Sequence, residues 1–348
     1  MIVCGKHYRS IWMDGPRVRM IDQNALPFEF RIFESRGFMT TARAIKNMTV
    51  RGAGAIGAAG AFGMAQAFSK SRQASRIRAA RKILESTRPT AVSLFKSIKR
   101  VCDAAREEED RGGAAVCEAQ KIADENAEEG RKIGEVGERL LRDGSRVLTH
   151  CNAGWLAFVD WGSALAPVYA ARRSGKGVFV YASETRPRSQ GARLTAWELK
   201  NEGVPCRIIV DGAGAHLMSE GEVDVVIVGA DRIARNGDTA NKIGTLEKAI
   251  AAREYGIPFY VAAPTSTIDN DAEGGADIKI EHRGEGEVLR QTGRSRRGLV
   301  EKFLVCSPGS RALNPAFDVT PVKFISGFIT ERGVLRVREL GRSGGRTL

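Results

Sequence analysis

A thiol and a carboxylate, each placed just after an apolar segment, are the residues of this chain whose positions best suit chemistry. Cys151 follows the apolar pair 147–148, and Asp231 follows the apolar run Val223 to Val228. In open α/β sheets, ligands bind in the crevice where strands end in loops at their carboxyl edge. The two side chains are 80 positions apart, yet they could face one such crevice. A base or nucleophile together with a general acid could then carry out proton transfer.

The segment that would position both groups alternates strand and helix patterns. Apolar strands are predicted at 147–149, 178–181, 207–210, 223–228 and 259–262. Helical patterns lie between them at 161–173, 190–202, 213–220 and 241–255. Near-continuous apolar strands separated by helices indicate a parallel sheet that is covered on both faces. We therefore predict a Rossmann-like α/β catalytic domain over residues 131–348.

Residues 1–130 have a different pattern. Runs at 8–12 and 17–22 flank the turn signal Asp14-Gly15-Pro16, which predicts a β-hairpin. From Thr40 onward helical patterns dominate, up to a charged segment near 120–140 in which we place the domain boundary. We predict a mainly helical N-terminal domain with a small antiparallel sheet.

The run Gly52-Ala53-Gly54-Ala55-Ile56-Gly57 fits the dinucleotide-binding pattern G-x-G-x-x-G. That fingerprint needs a preceding strand and an acidic residue about 20 positions later. Here the preceding pattern is helical and the next acidic residue is Glu85, so we reject a dinucleotide cofactor. A glycine turn that opens a helix directly after Arg51 could instead bind a phosphate oxygen through N–H groups and the guanidinium. Close packing of helices through small residues explains the same spacing.

Both catalytic candidates also have ordinary structural interpretations. A lone cysteine is commonly a small buried hydrophobic residue. Cys151, however, precedes the turn residues 152–154, and a helix that begins soon after them would favour its thiolate. Asp231 could instead cap a helix or form an ion pair with Arg232.

Three further polar residues are candidates for binding a ligand. Gln190, at the start of a predicted helix, is either a helix cap or a ligand for a hydroxyl group. Asn241 and Lys242 have the pattern of an ordinary helix start, yet they lie just past Asp231 and could bind an anion.

Composition narrows the class of protein. The 43% hydrophobic content is ordinary for a globular protein, and no run approaches the roughly 18 consecutive apolar residues of a membrane span. The N-terminus lacks the layout of a signal peptide. The six cysteines form no CxxC pair and the four histidines are not spaced at i, i+4, which gives a metal site little to build on. We expect a cytoplasmic protein without a metal or a membrane partner.

The net charge of +13 raises nucleic-acid binding as an alternative. Basic residues outnumber acidic ones in 281–348, and 283–302 is rich in arginine. Those arginines are interleaved with glycine and valine rather than with aromatic residues, and no helix-turn-helix, zinc-finger or RNP-like motif accompanies them. We therefore expect solvated faces or an anionic substrate, and no nucleic-acid partner.

Seven motifs, in order along the chain from about residue 8 to 335, resemble those of the methylthioribose-1-phosphate isomerases. They lie at 51–53, 88–92, 150–154, 184–196, 229–233, 236–245 and 314–318. This family is homologous to the regulatory subunits of eukaryotic translation initiation factor 2B. The initiation-factor subunits do not keep the paired cysteine and aspartate, so the presence of Cys151 and Asp231 favours the enzyme.

The resemblance implies a cofactor-free aldose–ketose isomerisation of 5-methylthioribose 1-phosphate to 5-methylthioribulose 1-phosphate, in methionine salvage, by a homodimer. It implies that Asp231 is the proton donor and that Cys151 abstracts a proton or stabilises the transition state. The substrate-binding residues that it implies, in a site between the domains, are Arg51, Gly52, Ala53, Arg88, Gln190, Asn241 and Lys242. Because the phosphate blocks the anomeric oxygen, a general acid must protonate the ring oxygen before hydrogen moves from C2 to C1, as a proton or as a hydride.

Departures from the family pattern leave the group at the sugar 5-position open. Gly54 stands where the family usually has proline, and a glycine here is similar to archaeal ribose-1,5-bisphosphate isomerases. Bulky apolar residues after Cys151 favour an apolar pocket, and thus methylthioribose or 5-deoxyribose 1-phosphate, unless they are core residues of the next helix. They are Trp155, Leu156, Phe158 and Trp161. The alternatives are a ribose-1,5-bisphosphate isomerase and a non-catalytic binding protein like initiation factor 2B.

Overall fold

The computed structural model describes residues 1–89 and 91–343, so that Thr90 of the motif at 88–92 and the last five residues lie outside it. The chain forms two compact units. The first holds Met1–Lys132 and Ala153–Ala166, and the second holds Ile133–Asn152 and the chain from Pro167 onward. Within the described ranges, no helix is long and apolar enough to cross a membrane.

The first unit is mainly helical, with two small antiparallel sheets at its beginning. Its strands are β1 (Ile2–Val3), β2 (Lys6–His7), β3 (Ile11–Asp14), β4 (Arg17–Ile21) and β5 (Ile32–Ser35). Its helices are α1 (Phe38–Lys46), α2 (Ala53–Lys70), α3 (Ala74–Glu85), α4 (Val92–Ala104) and α5 (Arg111–Glu138), the last of which continues into the second unit. In β3 and β4, Asp14 lies opposite Arg17, which confirms the predicted hairpin.

Helix α2 is the central element of the first unit's core. Every residue of it from Ala55 to Phe68 is buried, and a helix that is apolar all round is typical of a core. Its glycines allow neighbouring helices to approach closely. A Cβ added at Gly57 would lie 3.0 Å from Oγ of Ser97, and one at Gly60 would lie 2.4 Å from Cδ1 of Leu94. The prediction of close packing through small residues is therefore confirmed.

The second unit is built on a sheet of seven strands. Its strands, with those of the smaller sheets, are β6 (Arg146–Thr149), β7 (Phe179–Ser183), β8 (Cys206–Ile209), β9 (Val225–Val228), β10 (Arg232–Ala234), β11 (Thr239–Lys242), β12 (Phe259–Ala262), β13 (Ile268–Asp269), β14 (Arg290–Arg294), β15 (Val300–Leu304), β16 (Phe317–Thr320), β17 (Gly327–Thr330) and β18 (Gly333–Leu335). Its helices are α6 (Ala166–Arg173), α7 (Ala196–Asn201), α8 (Ala213–Ser219), α9 (Thr245–Glu254), α10 (Gly286–Leu289) and α11 (Val337–Ser343).

The order of the large sheet is β18-β17-β12-β9-β6-β7-β8. Every neighbouring pair is parallel except β17 and β18. All four residues of β9 are buried, as expected of a strand covered on both faces. The predicted Rossmann-like fold with a helical N-terminal region is confirmed. A second sheet, β13-β10-β11-β16, and the hairpin β14–β15 complete the unit.

The predicted helix start at Asn241-Lys242 is wrong. Both residues belong to β11, which is hydrogen-bonded to β10 on one side and to β16 on the other. The following helix begins only at Thr245, after Gly244 has turned the chain with a φ of 96°. This polar pair looked like a helix start because the residues it pairs with in β16, Asp318 and Phe317, lie far away in sequence.

Candidate active site

The carboxyl ends of β6, β7 and β9 lie at one edge of the large sheet, because these strands are adjacent and parallel. The hydroxyl of Thr149, the last residue of β6, donates to the carbonyl of Ile227 on β9 at 2.8 Å. Cys151 follows β6 closely, and Asp231 follows β9 closely. The thiol-bearing and carboxylate-bearing loops therefore leave neighbouring strands at the same edge.

Cys151 is buried, and its backbone φ is 69°. This left-handed region is uncommon for residues other than glycine. Its N–H donates to Oγ1 of Thr185 at 2.8 Å, and its carbonyl accepts from Oγ1 of Thr195 at 2.8 Å. Nε2 of Gln190 donates to the Cys151 sulfur at 3.3 Å. The residue is thus held through its backbone on both sides and contacted at its sulfur.

Gln190 combines that contact with an oxygen that has no donor. The residue is buried, and its Oε1 accepts no hydrogen bond from the described residues. An unsatisfied buried acceptor costs about 1–3 kcal/mol, and a ligand hydroxyl would remove this cost. The side chain of Gln190 makes no helix-capping hydrogen bond. The hydroxyl-ligand interpretation is favoured over the helix cap.

His150, which sequence reasoning left without a role, lies fully buried beside Cys151. Its Nε2 lies 2.8 Å from the carbonyl oxygen of Ile243, which fixes the tautomer with the proton on that nitrogen. Burial, aided by the charge of Lys248, lowers the pKa of His150 to about 3. Its Nδ1 is 3.8 Å from Asp211, but a neutral imidazole forms no ion pair there. Its polar type at the end of an apolar strand was the signal that could have identified it.

Asp231 lies exposed in a bend between β9 and β10. Its N–H donates to the carbonyl of Ala240 at 2.9 Å, which places it beside β11. No helix begins here, since a strand starts at Arg232, so the helix-cap interpretation is wrong. Arg232 forms an ion pair with Asp269 at 3.4 Å.

Asn241 and Lys242, at the end of β11, are both buried. Nδ2 of Asn241 donates to Oγ1 of Thr245 at 3.1 Å. Nζ of Lys242 donates to the carbonyl of Ala316 at 2.7 Å and lies 4.2 Å from the centre of the Phe317 ring. A buried ammonium held in this way is a fixed positive charge that could serve an anionic ligand.

The first unit carries the remaining candidates at the beginning of α2 and just before α4. Gly52 has a φ of 90°, and a Cβ added to it would lie 2.4 Å from Cα of Ala157, so only glycine fits. The hydroxyl of Ser93 in α4 donates to the carbonyl of Ala53 at 2.7 Å, which joins the starts of the two helices. Arg51 and Arg88 are half-buried. The binding of a phosphate by these residues stays a prediction.

The apolar residues after Cys151 do not form the expected helix. Trp155–Ala157 is a single 3-10 turn, and α6 begins only at Ala166. The predicted support of the Cys151 thiolate by a helix start is therefore wrong. Trp155 and Leu156 are fully buried, and the carbonyl of Leu156 accepts from Nε2 of Gln23 at 2.6 Å. They are core residues of the first unit, although not of the next helix.

Gly54, the departure from the family pattern, lies against the same segment. A Cβ added there would lie 2.6 Å from Nδ2 of Asn126 and 2.8 Å from Cδ1 of Phe158. Oδ1 of Asn126 accepts from the N–H of Val159 at 2.8 Å. The space that a larger residue would need at position 54 is therefore occupied by packed side chains.

Comparison with known proteins identifies relatives along nearly the whole chain. Residues 49–337 match the initiation factor 2 subunit family. The methylthioribose-1-phosphate isomerase of Acidiphilium cryptum is 48% identical, over 97% of this chain and 96% of that protein. The enzyme of the same name from Methylorubrum extorquens is also 48% identical, over 99% of this chain and 98% of that protein.

Two solved structures share the fold at high similarity. The 5-methylthioribose 1-phosphate isomerase of Pyrococcus horikoshii has a TM-score of 0.85 and 42% identity, over 97% of this chain and 95% of that one. The translation initiation factor eIF-2B subunit delta of A. fulgidus has a TM-score of 0.84 and 41% identity, over 97% of this chain and 100% of that one.

Proposed function

The chain belongs to the initiation factor 2 subunit family, and from this premise we propose that it isomerises 5-methylthioribose 1-phosphate to 5-methylthioribulose 1-phosphate. The observation that carries this function is the 48% identity, over 97% of the chain, to an enzyme named for that substrate. The reaction is an aldose–ketose isomerisation in methionine salvage, and we propose a cytoplasmic setting.

Two groups at the edge of the large sheet would carry out the chemistry. The phosphate on C1 prevents ring opening to a free aldehyde, so the ring oxygen must first be protonated. We assign this donation to Asp231, whose exposed position gives a ligand access. Hydrogen then moves from C2 to C1, and the C2 hydroxyl loses its proton as it becomes the carbonyl, which balances the proton donated to the ring oxygen. We assign to Cys151 either the abstraction of a proton or the stabilisation of the transition state. These roles need no metal or nucleotide.

The proposed substrate contacts follow from the chemistry of each group. Arg51, Gly52, Ala53 and Arg88 offer guanidinium and backbone N–H donors, which suit phosphate oxygens. In the second unit, Oε1 of Gln190 would accept a sugar hydroxyl, which would satisfy the oxygen that now lacks a donor. Asn241 and Lys242 would contribute an amide and a fixed positive charge.

A homodimer is the proposed assembly. Strand β8 lies at the edge of the large sheet, and the side chains of Ile208 and Val210 there are exposed by 52% and 65%. The hairpin β14–β15 and its flanks expose further apolar residues, among them Leu299 and Phe303. Exposed apolar patches mark interaction surfaces, and a second copy of the chain would cover them. Light scattering of a dilute sample that gives the monomer mass would exclude this assembly.

A non-catalytic binding protein is the second candidate, since the A. fulgidus structure named as an initiation factor subunit is 41% identical. A third is a ribose-1,5-bisphosphate isomerase. Incubation of the purified protein with methylthioribose 1-phosphate, 5-deoxyribose 1-phosphate or ribose 1,5-bisphosphate, followed by phosphorus NMR, separates them. We expect turnover of the first, and also of the second, in the presence of EDTA. A preference for ribose 1,5-bisphosphate would identify the protein as a ribose-1,5-bisphosphate isomerase. If none of the three compounds is turned over, only the function of a non-catalytic binding protein remains.

A further inference from the structure

A buried cluster of polar residues is connected by hydrogen bonds to the backbone of Cys151. The proposed chemistry does not use it. Its members are Asn152, Tyr169, Thr195 and Glu198, all in the second unit. Glu198 is 0% exposed and Tyr169 is 1% exposed. A carboxylate is costly to bury unless hydrogen bonds compensate it, so a fully buried glutamate next to a candidate active site requires an explanation.

Both carboxylate oxygens of Glu198 accept hydrogen bonds. Oε1 accepts from Nδ2 of Asn152 at 2.6 Å, and Oε2 accepts from the hydroxyl of Tyr169 at 2.8 Å. Burial, together with the negative charge of Glu198, raises the pKa of Tyr169 well above its ordinary value. The phenol therefore keeps its proton and remains a donor to Glu198 at any physiological pH.

From Asn152 the contacts continue to the backbone of Cys151. Nδ2 of Asn152 also lies 3.2 Å from Oγ1 of Thr195, and that hydroxyl donates to the Cys151 carbonyl at 2.8 Å. Thr195 ends a π-helical turn, Gly191–Thr195, and such turns occur frequently at functional sites. The hydrogen bonds thus link Tyr169, Glu198, Asn152 and Thr195 to the carbonyl of Cys151.

The left-handed backbone of Cys151 is what these contacts would maintain. A residue other than glycine persists in this region only when its surroundings hold it there. The N–H of Cys151 is held by Thr185, and its carbonyl by Thr195. If the Thr195 hydroxyl lost its orientation, the peptide could rotate toward the extended region, and the thiol would change direction.

We propose that Glu198, together with Tyr169, is a positioning residue that fixes the Cys151 backbone through Asn152 and Thr195 and so directs the thiol. The effect on turnover rests on the proposed function, whereas the position of the thiol does not. The test therefore measures both the isomerase kinetics and the chemical reactivity of Cys151.

The central comparison is Glu198→Met, which removes both acceptors at similar volume, against Glu198→Gln, which keeps an oxygen for Asn152. We expect Glu198→Met to lower kcat roughly 10- to 100-fold, as for residues that orient the ligands of a metal site, with KM nearly unchanged. Glu198→Gln should restore most of kcat. The iodoacetamide labelling of Cys151 is measured by peptide mass spectrometry and divided by that of the exposed Cys117. This ratio should change in Glu198→Met and return to the wild-type value in Glu198→Gln.

Tyr181→Phe is the matched control, since it also removes a tyrosine-to-glutamate hydrogen bond, to Glu222 at 3.1 Å. It should leave both readouts unchanged. Should Glu198→Met fail to fold, Tyr169→Phe tests the same link and should give smaller changes of the same kind. A folded variant with unchanged labelling overturns the proposal, whether or not kcat falls. If the wild-type protein has no isomerase activity, the proposed function is refuted. Altered labelling in Glu198→Met would in that case still support the positioning role.

Discussion

The start of α2 and the loop after β6 both hold a residue in the left-handed region, but they do so by different means. At Gly52, with φ of 90°, the absence of a Cβ removes the strain and also leaves room for Ala157. At Cys151, with φ of 69°, the side chain is kept; the backbone is held because its N–H donates to Thr185 and its carbonyl accepts from Thr195. The fold uses glycine where only the turn matters, and polar contacts where the side chain itself is required.

Substitution of Cys151 should have the largest effect, because here the side chain itself is required for turnover. Cys151→Gly keeps the turn without strain but removes the thiol, so we expect kcat to fall about 10³-fold or more while stability is unchanged or higher by about 1 kcal/mol. Cys151→Ser should lower kcat similarly, with little effect on KM. Steady-state kinetics and chemical denaturation measure the two effects. Equal losses in binding and turnover would show that Cys151 only packs.

Asp231→Asn should reduce kcat by about 10²- to 10⁴-fold, the range for loss of a general acid, with an unchanged melting temperature. The control is Asp238→Asn. Asp238 accepts hydrogen bonds from Asn236 and from the N–H groups of Gly275 and Val322, so its loss should lower stability rather than chemistry. If Asp231→Asn retained nearly full activity, the acid role would move to Glu184, whose pKa is raised by burial and by Asp211.

Gly52→Ala should cost about 2–4 kcal/mol of unfolding free energy, because the new methyl group would collide with the backbone of Ala157 in addition to the strain at positive φ. Gly15→Ala is the control, since Gly15 has a φ of 56° but open space around it. It should cost only about 1–2 kcal/mol. Equal costs in urea denaturation would mean that crowding at Gly52 contributes nothing.

Gly244 is a further residue in the left-handed region, and here a carboxylate supplements glycine. Asp318 accepts the N–H groups of Gly244 at 2.7 Å and Leu246 at 3.2 Å, and burial raises its pKa to about 6. Its folded-state pKa is above the unfolded-state value, so the native state binds the proton more tightly. The free energy of unfolding should therefore fall as pH rises from about 4 to about 6.

Asp318→Asn lacks this proton and should have a shallower dependence on pH over the same range. Urea denaturation of both proteins at several pH values gives the two slopes. Identical slopes would show that Asp318 titrates equally in the folded and unfolded states.

The sheet and the strand-end loops were predictable because their signals are local. The strand β9 could be predicted from its own apolar residues alone. The motifs that contain Cys151 and Asp231 come directly after such apolar runs in the sequence, so their position at strand ends could be predicted as well. The left-handed Cys151 was not predictable, since it depends on Thr185 and Thr195, which are distant in sequence. Glu198 was missed because one acidic residue in a helical pattern has the appearance of a solvent-facing position. The available signal was the spacing of Thr195 and Glu198. They are three residues apart in the predicted helix that begins at Gln190, and residues with this spacing lie on the same helix face.

The segment Ala153–Ala166 has a consequence for synthesis of the protein on the ribosome. It belongs to the first unit, although twenty residues of the second unit, Ile133–Asn152, precede it. The N-terminal amino group pairs with Asp160 at 2.9 Å, and the N–H of Ser10 donates to the carbonyl of Val159 at 2.9 Å. Met1 and Ser10 can therefore form these contacts only after residue 160 has been synthesised. The first unit cannot finish folding before part of the second has been synthesised. A chain truncated after Lys132 would lack the segment Ala153–Ala166 and therefore part of the first unit.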